Sequence, residues 1–218
     1  RSRRSLDGIK PMTGGRARYM SLLSLSVPQK IMFSSIGLMT LVVATAEIGD
    51  KTQLLALCLA ARFRTQLPIV LGIFAATVLN HLLASVVGVS LASILTPEIL
   101  RWVLTISFAL MAYWMLVPDK LDDMDCPTEK PSYSVFFTTA FLFFMAEMGD
   151  KTQLATVAMA AHYQSVGAVV FATTLGMLIA DVPAVYIGDK LSQKLSLVWM
   201  RRISAAVFVA LAVASWLT

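Results

Sequence analysis

Long apolar stretches separated by short polar ones dominate the chain. Six of these stretches are long enough to cross a bilayer, whose hydrocarbon core requires about 20 mostly apolar residues per helix. They do not alternate apolar and polar positions as a membrane β-strand does, and helices satisfy their own backbone hydrogen bonds in hydrocarbon. The pattern predicts an all-α membrane protein with six transmembrane helices, at residues 31–61, 67–95, 98–117, 134–161, 166–190 and 199–217.

The two halves of the sequence repeat each other at a shift of 100 residues. The segment AEIGDKTQL, from Ala46 to Leu54, returns as AEMGDKTQL, from Ala146 to Leu154, with eight of nine positions identical. Three crossings leave a chain on the opposite side of the membrane. We therefore predict two inverted three-helix repeats, an arrangement that places equivalent elements together near the bilayer midplane.

This duplication divides the sequence into four parts. We predict a first three-helix repeat over residues 31–117, an acidic linker over 118–133 and a second repeat over 134–218. Residues 1–30 form a basic tail, part of which need not be native sequence.

Composition supports the membrane assignment. Of the 218 residues, 57% are hydrophobic and 14% are charged, whereas about 25% are charged in soluble domains. Seven of the eighteen Lys and Arg residues lie within residues 1–30, and no basic patch interleaves with aromatic residues. We therefore expect no nucleic acid as a partner, and we expect membrane lipid, divalent cations and protons.

The positions of the basic residues predict an orientation. With residues 1–19 set aside, Lys30 and Arg101 are the two basic residues on the side that holds the termini, against eight on the other side. Because basic residues are enriched in cytoplasmic loops, we expect both termini outside and the linker in the cytoplasm.

Each repeat places charged side chains inside an apolar stretch. An ionised group at membrane depth costs ~2.5–3.5 kcal/mol or more, so Glu47, Asp50, Glu147 and Asp150 must face one another, water or an ion. Positions i and i+3 share a helical face, so we expect the two acids of each motif to point the same way. Inverted symmetry then gathers four carboxylates around one cavity. The glycines between the acids, Gly49 and Gly149, either let helices approach closely or let the helix break.

The candidate ligands of this cavity are all oxygen atoms. Besides the acids, the motifs offer hydroxyl and amide oxygens from Thr52, Gln53, Thr152 and Gln153. Oxygen sites suit Mg²⁺, Ca²⁺ and Mn²⁺ rather than Zn²⁺ or Cu²⁺, and Mg²⁺ sheds its water reluctantly. We predict Mn²⁺ or Ca²⁺ as a transported substrate, with no cofactor, and the residues do not separate these two ions.

Other polar residues in the apolar stretches have competing interpretations. Lys51 and Lys151 can form structural ion pairs with the acids, but two lysines leave two of the four negative charges uncompensated, which matches one divalent cation or two protons. Asp181 and its repeat counterpart His81 are candidates for a proton relay. The alternative for both is a hydrogen bond between helices.

The doubled Glu-x-Gly-Asp-Lys-Thr motif resembles the signature of a family of small cation transporters of bacterial inner membranes, chloroplasts and the Golgi. The resemblance covers about residues 31–217 and places the acidic signature residues of the family on the four motif acids. It implies exchange of manganese or calcium for protons. The short length is similar to the bacterial manganese exporters, which implies a multi-pass protein of the bacterial inner membrane.

These observations lead to one main function and three alternatives. The main function is manganese export by cation/proton antiport, through alternating access at a shared four-carboxylate midplane site. The first alternative is a calcium/proton antiporter. The second alternative, an intramembrane metal-dependent enzyme, would need a zinc motif or a nucleophile array that the sequence lacks, so we expect no enzyme. The third, a non-transporting membrane protein, would not need four matched acids.

Overall fold

The computed structural model describes residues 29–117, 134–187 and 197–217, and all the regular structure within these ranges is α-helical. This confirms the predicted all-α class. The expectations for the tail up to residue 28 and for the linker 118–133 lie outside the described residues. The helices are α1 (Gln29–Glu47), α2 (Lys51–Phe63), α3 (Gln66–Ile94), α4 (Pro97–Leu116), α5 (Val135–Glu147), α6 (Lys151–Tyr163), α7 (Val166–Ile187) and α8 (Leu197–Leu217).

The prediction of single helices over residues 31–61 and 134–161 is wrong. Each of these stretches contains two helices, α1 and α2 or α5 and α6, separated by the three residues that follow the motif glutamate. Hydropathy alone predicts one long helix in each stretch, whereas the structure has a break at the motif glycine, one of the two roles expected for Gly49 and Gly149. The other four predicted helices correspond to α3, α4, α7 and α8.

A glycine in the left-handed region makes each break. Gly49 has φ 83° and Gly149 has φ 77°, a conformation that a residue without Cβ adopts at little cost. The turn is closed by the backbone N–H of Asp50, which donates to the Glu47 carbonyl at 3.0 Å, and the equivalent bond in the second motif is 3.2 Å. The motif therefore encodes a helix–turn–helix junction rather than a continuous helix.

The short helices α2 and α6 begin and end in the same way. Each has a motif aspartate at its N-cap, and each ends at a residue in the left-handed conformation, Arg64 or Gln164. The N–H of that residue donates to the carbonyl of Ala60 at 3.1 Å or of Ala160 at 2.9 Å. The sequence repeat is thus also a repeat of local structure.

Three of the described helices are long and apolar enough to cross a membrane by themselves. They are Gln66–Ile94, Pro97–Leu116 and Val166–Tyr186. Many of their large side chains face outward, including Phe74, Leu110 and Phe171. An apolar exterior of this extent is typical of a surface that contacts lipid.

Close backbone contacts connect the two halves. A Cβ on Gly176 of α7 would lie 2.7 Å from the carbonyl oxygen of Thr40 in α1, and one on Gly72 of α3 would lie 2.9 Å from that of Phe136 in α5. The small residue at each crossing lets the two backbones touch. As a result, α3 and α7 each pack on the glutamate-bearing helix of the other half.

The break at Gly149 gives a test of the fold. A Cβ at Gly149 would have no neighbour within 4 Å, so the Gly149→Ala variant meets backbone strain and no steric clash. We expect it to lower the free energy of unfolding by about 1–2 kcal/mol. Thermal unfolding of the detergent-purified protein measures this loss.

Gly167→Ala is the matched control, because Gly167 also has open space around it but lies in the helical conformation of α7. This variant should be neutral or slightly stabilising. Equal destabilisation by the two substitutions would contradict the role of the left-handed turn.

Candidate cation site

Three acids from the two halves meet beside the helix breaks. Glu47 is the last residue of α1, and Asp50 and Asp150 are the N-caps of α2 and α6. One carboxylate oxygen from each lies within 4.8 Å of the others, and all three side chains are buried. The expectation that Glu47 and Asp50 share a helical face is wrong, because the helix ends between them and the turn itself brings them together.

The Glu47 carboxylate receives hydrogen bonds from both halves. The Thr52 hydroxyl donates to its Oε2 at 2.6 Å, and the Thr152 hydroxyl donates to its Oε1. Glu47 itself is fully buried. One carboxylate therefore connects the first turn of α2 with the first turn of α6.

Glu147 lies beside this cluster and has partners of its own. The Thr77 hydroxyl donates to Oε1 at 3.0 Å, and the Asn80 amide donates to Oε2 at 3.1 Å. Glu147 is within electrostatic range of Glu47 and Asp150. Thr77 and Asn80 were not predicted as site residues, although two polar residues three apart in an apolar helix are a visible signal.

The environments of the two motif glutamates differ. At the repeat positions equivalent to Thr77 and Asn80, α7 has Met177 and Ala180, which offer no side-chain hydrogen bond. The two copies of the motif therefore lie in different surroundings, because α3 donates side-chain hydrogen bonds to Glu147 and the equivalent residues of α7 cannot do the same for Glu47.

The motif glutamines brace the turns. The amide oxygen of Gln53 accepts the Gly49 N–H at 2.9 Å, and that of Gln153 accepts the Gly149 N–H at 2.6 Å. The backbone N–H of Gln153 in turn donates to Oδ1 of Asp150 at 2.7 Å. The other oxygen of Asp150, Oδ2, is buried and has no hydrogen-bond partner among the described residues.

Asp181 adds a fifth acid to the same region. It is fully buried in α7, within electrostatic range of all four motif acids. Neither of its carboxylate oxygens has a hydrogen-bond partner in the described part of the chain. Its counterpart His81 is 1% exposed, and within those same residues its Nδ1 is also without a partner.

The motif lysines supply the positive charge near these acids. Lys51 acts electrostatically on Glu47, Glu147 and Asp150, and Lys151 is buried. A cavity of about 10 Å³ adjoins Asp50 and Lys151, which is room for about one water molecule. Five acids against two lysines leave a negative centre that a cation or protons can neutralise.

The polar support from α3 predicts a stability effect. Asn80→Ala removes the hydrogen bonds of its amide to Glu147 and to the Phe144 carbonyl, which accepts at 3.1 Å. Leaving a buried carboxylate oxygen without its donor should cost about 1–3 kcal/mol of unfolding free energy.

The control is Thr173→Val in α7, because the buried Thr173 hydroxyl donates to Val169 of its own helix at 2.7 Å. We expect this variant to lose less than the Asn80 variant in the same thermal unfolding measurement. If both variants lose equally, the Asn80 amide has no special importance for Glu147.

Comparison with known proteins identifies the family. The family described as divalent cation/proton antiporter GDT1 matches residues 35–123 and 135–218. The chain is 45% identical over 189 residues to a Vibrio cholerae protein named "Putative manganese exporter", covering 86% of this chain and 93% of that protein.

More distant relatives extend to plants and cyanobacteria. The GDT1-like protein 4 of Oryza sativa is 27% identical over 198 residues, covering 80% of this chain and 70% of the rice protein. A GDT1-like protein of Synechocystis is 27% identical over 205 residues, covering 82% of this chain and 94% of its own length. No solved structure matches the chain significantly.

The resemblance drawn from the doubled motif is confirmed by these matches. Together with the long apolar helices, they make the chain a multi-pass membrane protein that transports cations. It belongs to the GDT1 family of divalent cation/proton antiporters.

Proposed function

We propose that the chain exports Mn²⁺ from the cell in exchange for protons, and that the motif acids form the site where the two compete. The observation that carries the proposal is the buried cluster of Glu47, Asp50 and Asp150, with one oxygen of each within 4.8 Å of the others. Carboxylates from both halves at this distance repel one another unless a cation or protons join them. Glu147 is the fourth acid of the proposed site.

Neutral oxygens complete the proposed ligand set. The Thr52 and Thr152 hydroxyls already contact Glu47, so small movements bring them to an ion bound there. Gln53 and Gln153 hold the turns, and each amide oxygen keeps a second lone pair for the ion. Lys51 and Lys151 act as structural counter-charges.

Manganese is favoured over calcium by the relative named for manganese export. A calcium/proton antiporter is the second candidate, because hard oxygen ligands serve both ions. Ca²⁺ takes six to eight oxygens at distances of about 2.3–2.6 Å in flexible sites. The tight, braced turns of the two motifs fit a smaller ion better.

We propose that α1–α2 and α5–α6 each cross the membrane as a broken pair, which gives six spans in two inverted repeats, residues 31–117 and 134–218. Helices α4 and α8 support this symmetry, since the rings of the equivalent residues Phe108 and Phe208 lie 6.3 Å apart. Equivalent residues meet in this way at a two-fold axis. In our proposal the termini lie outside a bacterial inner membrane.

Alternating access follows from how the halves share the site. Helix α3 of the first half packs on α5, α6 and α7 of the second, and the Thr152–Glu47 hydrogen bond joins the halves at the cluster. Rocking one half against the other would remake such bonds while the acids stay at the centre.

Proton exchange makes export energetically feasible. Moving one positive charge out of a cell with a negative interior costs ~2.3 kcal/mol per 100 mV, and a divalent cation costs twice that. Two protons that move inward carry the same charge in the opposite direction, so they cancel this electrical cost. Asp181, buried beside the four motif acids, is the proposed carrier of protons to and from the cluster, with His81 as the second member of the relay.

Glu47→Gln tests the site. The amide keeps the size of the side chain and removes the negative charge, so Mn²⁺ flux in proteoliposomes should fall by at least about 10-fold, the equivalent of 1.4 kcal/mol. Glu147→Gln should lose flux as well, while both variants remain folded by size-exclusion chromatography.

Glu129→Gln is the matched control, since it makes the same change in the linker 118–133. It should keep wild-type flux. A folded Glu47→Gln protein with wild-type flux would remove the motif acids from the transport site.

An imposed pH gradient tests the counter-ion. In proteoliposomes loaded with Mn²⁺, acidification of the outside should accelerate efflux, because inward protons replace the departing ion. Collapse of the gradient with a protonophore should remove the acceleration. Efflux that is indifferent to the gradient would contradict proton coupling, and equal competition by Ca²⁺ would favour the calcium alternative.

A further inference from the structure

A cavity of about 530 Å³ lies away from the motif acids, where α4 begins and α6 and α8 end. Its polar lining comes from Glu98 and Arg101 of α4, His162 of α6 and Ser215 of α8. Cation transport at the cluster, as proposed above, uses none of these four residues.

Two buried polar atoms of this cavity lack partners. Ser215 is 3% exposed, and neither its hydroxyl nor Nε of Arg101 has a hydrogen-bond partner among the described residues. Buried polar groups in proteins are nearly always satisfied. A guanidinium nitrogen and a hydroxyl that both lack an acceptor among the described residues indicate a ligand with acceptor oxygens, such as a phosphate group.

An apolar groove of about 250 Å³ lies next to this cavity, between α3, α4 and α6. Leu100 and Leu104 belong to both walls. The groove is otherwise lined almost entirely by aliphatic side chains, including those of Val103, Leu110 and Val157. A polar cavity beside an apolar groove matches a ligand with a charged head and a hydrocarbon tail.

A pair of tryptophan rings lies beside Arg101 of this cavity. The Trp102 and Trp216 rings pack edge to face with centroids 4.6 Å apart, and both are partly exposed. The guanidinium carbon of Arg101 lies 4.9 Å from the Trp216 ring centroid. Tryptophan is enriched at the membrane–water interface, so we expect Arg101 at the level of lipid phosphates.

We propose that this composite site binds one phospholipid with a phosphoethanolamine headgroup. Arg101 and Ser215 take the phosphate oxygens, and an acyl chain fills the groove past Leu104. Glu98 is exposed on the same lining, and its carboxylate takes the ammonium group. A cation and an acid together select a zwitterionic headgroup over an anionic one.

Native mass spectrometry of the detergent-purified full chain tests the proposal with added phosphatidylethanolamine or phosphatidylglycerol. We expect one phosphatidylethanolamine retained per chain and weaker retention of phosphatidylglycerol. Arg101→Gln should lower phosphatidylethanolamine affinity about 10-fold, since a charge-assisted bond to phosphate is lost.

Arg202→Gln is the matched control, because Arg202 stacks on Trp199 at 5.5 Å from the ring centroid but lies outside the lining of the cavity. It should bind lipid as the wild type does. Glu98→Gln, an exposed change that spares folding, should remove the preference for phosphatidylethanolamine over phosphatidylglycerol while binding persists.

Three results would overturn the proposal. These are equal losses from Arg101→Gln and Arg202→Gln, no headgroup preference in the wild type, and displacement of the lipid by soluble O-phosphoethanolamine at equal concentration. The last result would assign the cavity to a free phosphate compound instead of a lipid.

Discussion

The burial of several carboxylates at one place in an apolar helix bundle is the constraint that shapes this protein. Glu47, Glu147 and Asp181 are almost completely buried, and Asp50 and Asp150 are nearly so. Ionised groups are expensive at membrane depth, so the surrounding structure has to compensate them. The N-terminal ends of α2 and α6, the motif hydroxyls and two lysines all contribute to this compensation.

The broken helices make such a site feasible. At each break the backbone turns through a glycine with positive φ, so one acid ends a helix and another caps the next one. A continuous helix would hold Glu47 and Asp50 on one face, but it would have no N-terminal end, such as those of α2 and α6, beside the acids of the other half. The close approach of α7 to α1 at Gly176 then fixes where the C-terminal end of α1 lies.

The sequence predicted much of this arrangement because repeated charges in apolar segments are conspicuous. The duplicated motif identified the acids, and the structure brings three of the four into one cluster. The sequence did not decide between a continuous and a broken helix, because a glycine serves equally for a close helix contact or for a turn. Thr77 and Asn80 were missed because a comparison of the repeats reveals only what they share. The equivalent positions in the second repeat are Met177 and Ala180.

The central claim is that both halves contribute to a single cation site, and the stoichiometry of Mn²⁺ binding tests it most directly. Isothermal titration of the purified protein should give one ion per chain. Asp50→Asn and Asp150→Asn, which lie in different halves, should each weaken that one binding event. Two equivalent ions per chain, or full affinity in a chain with one motif neutralised, would contradict the account.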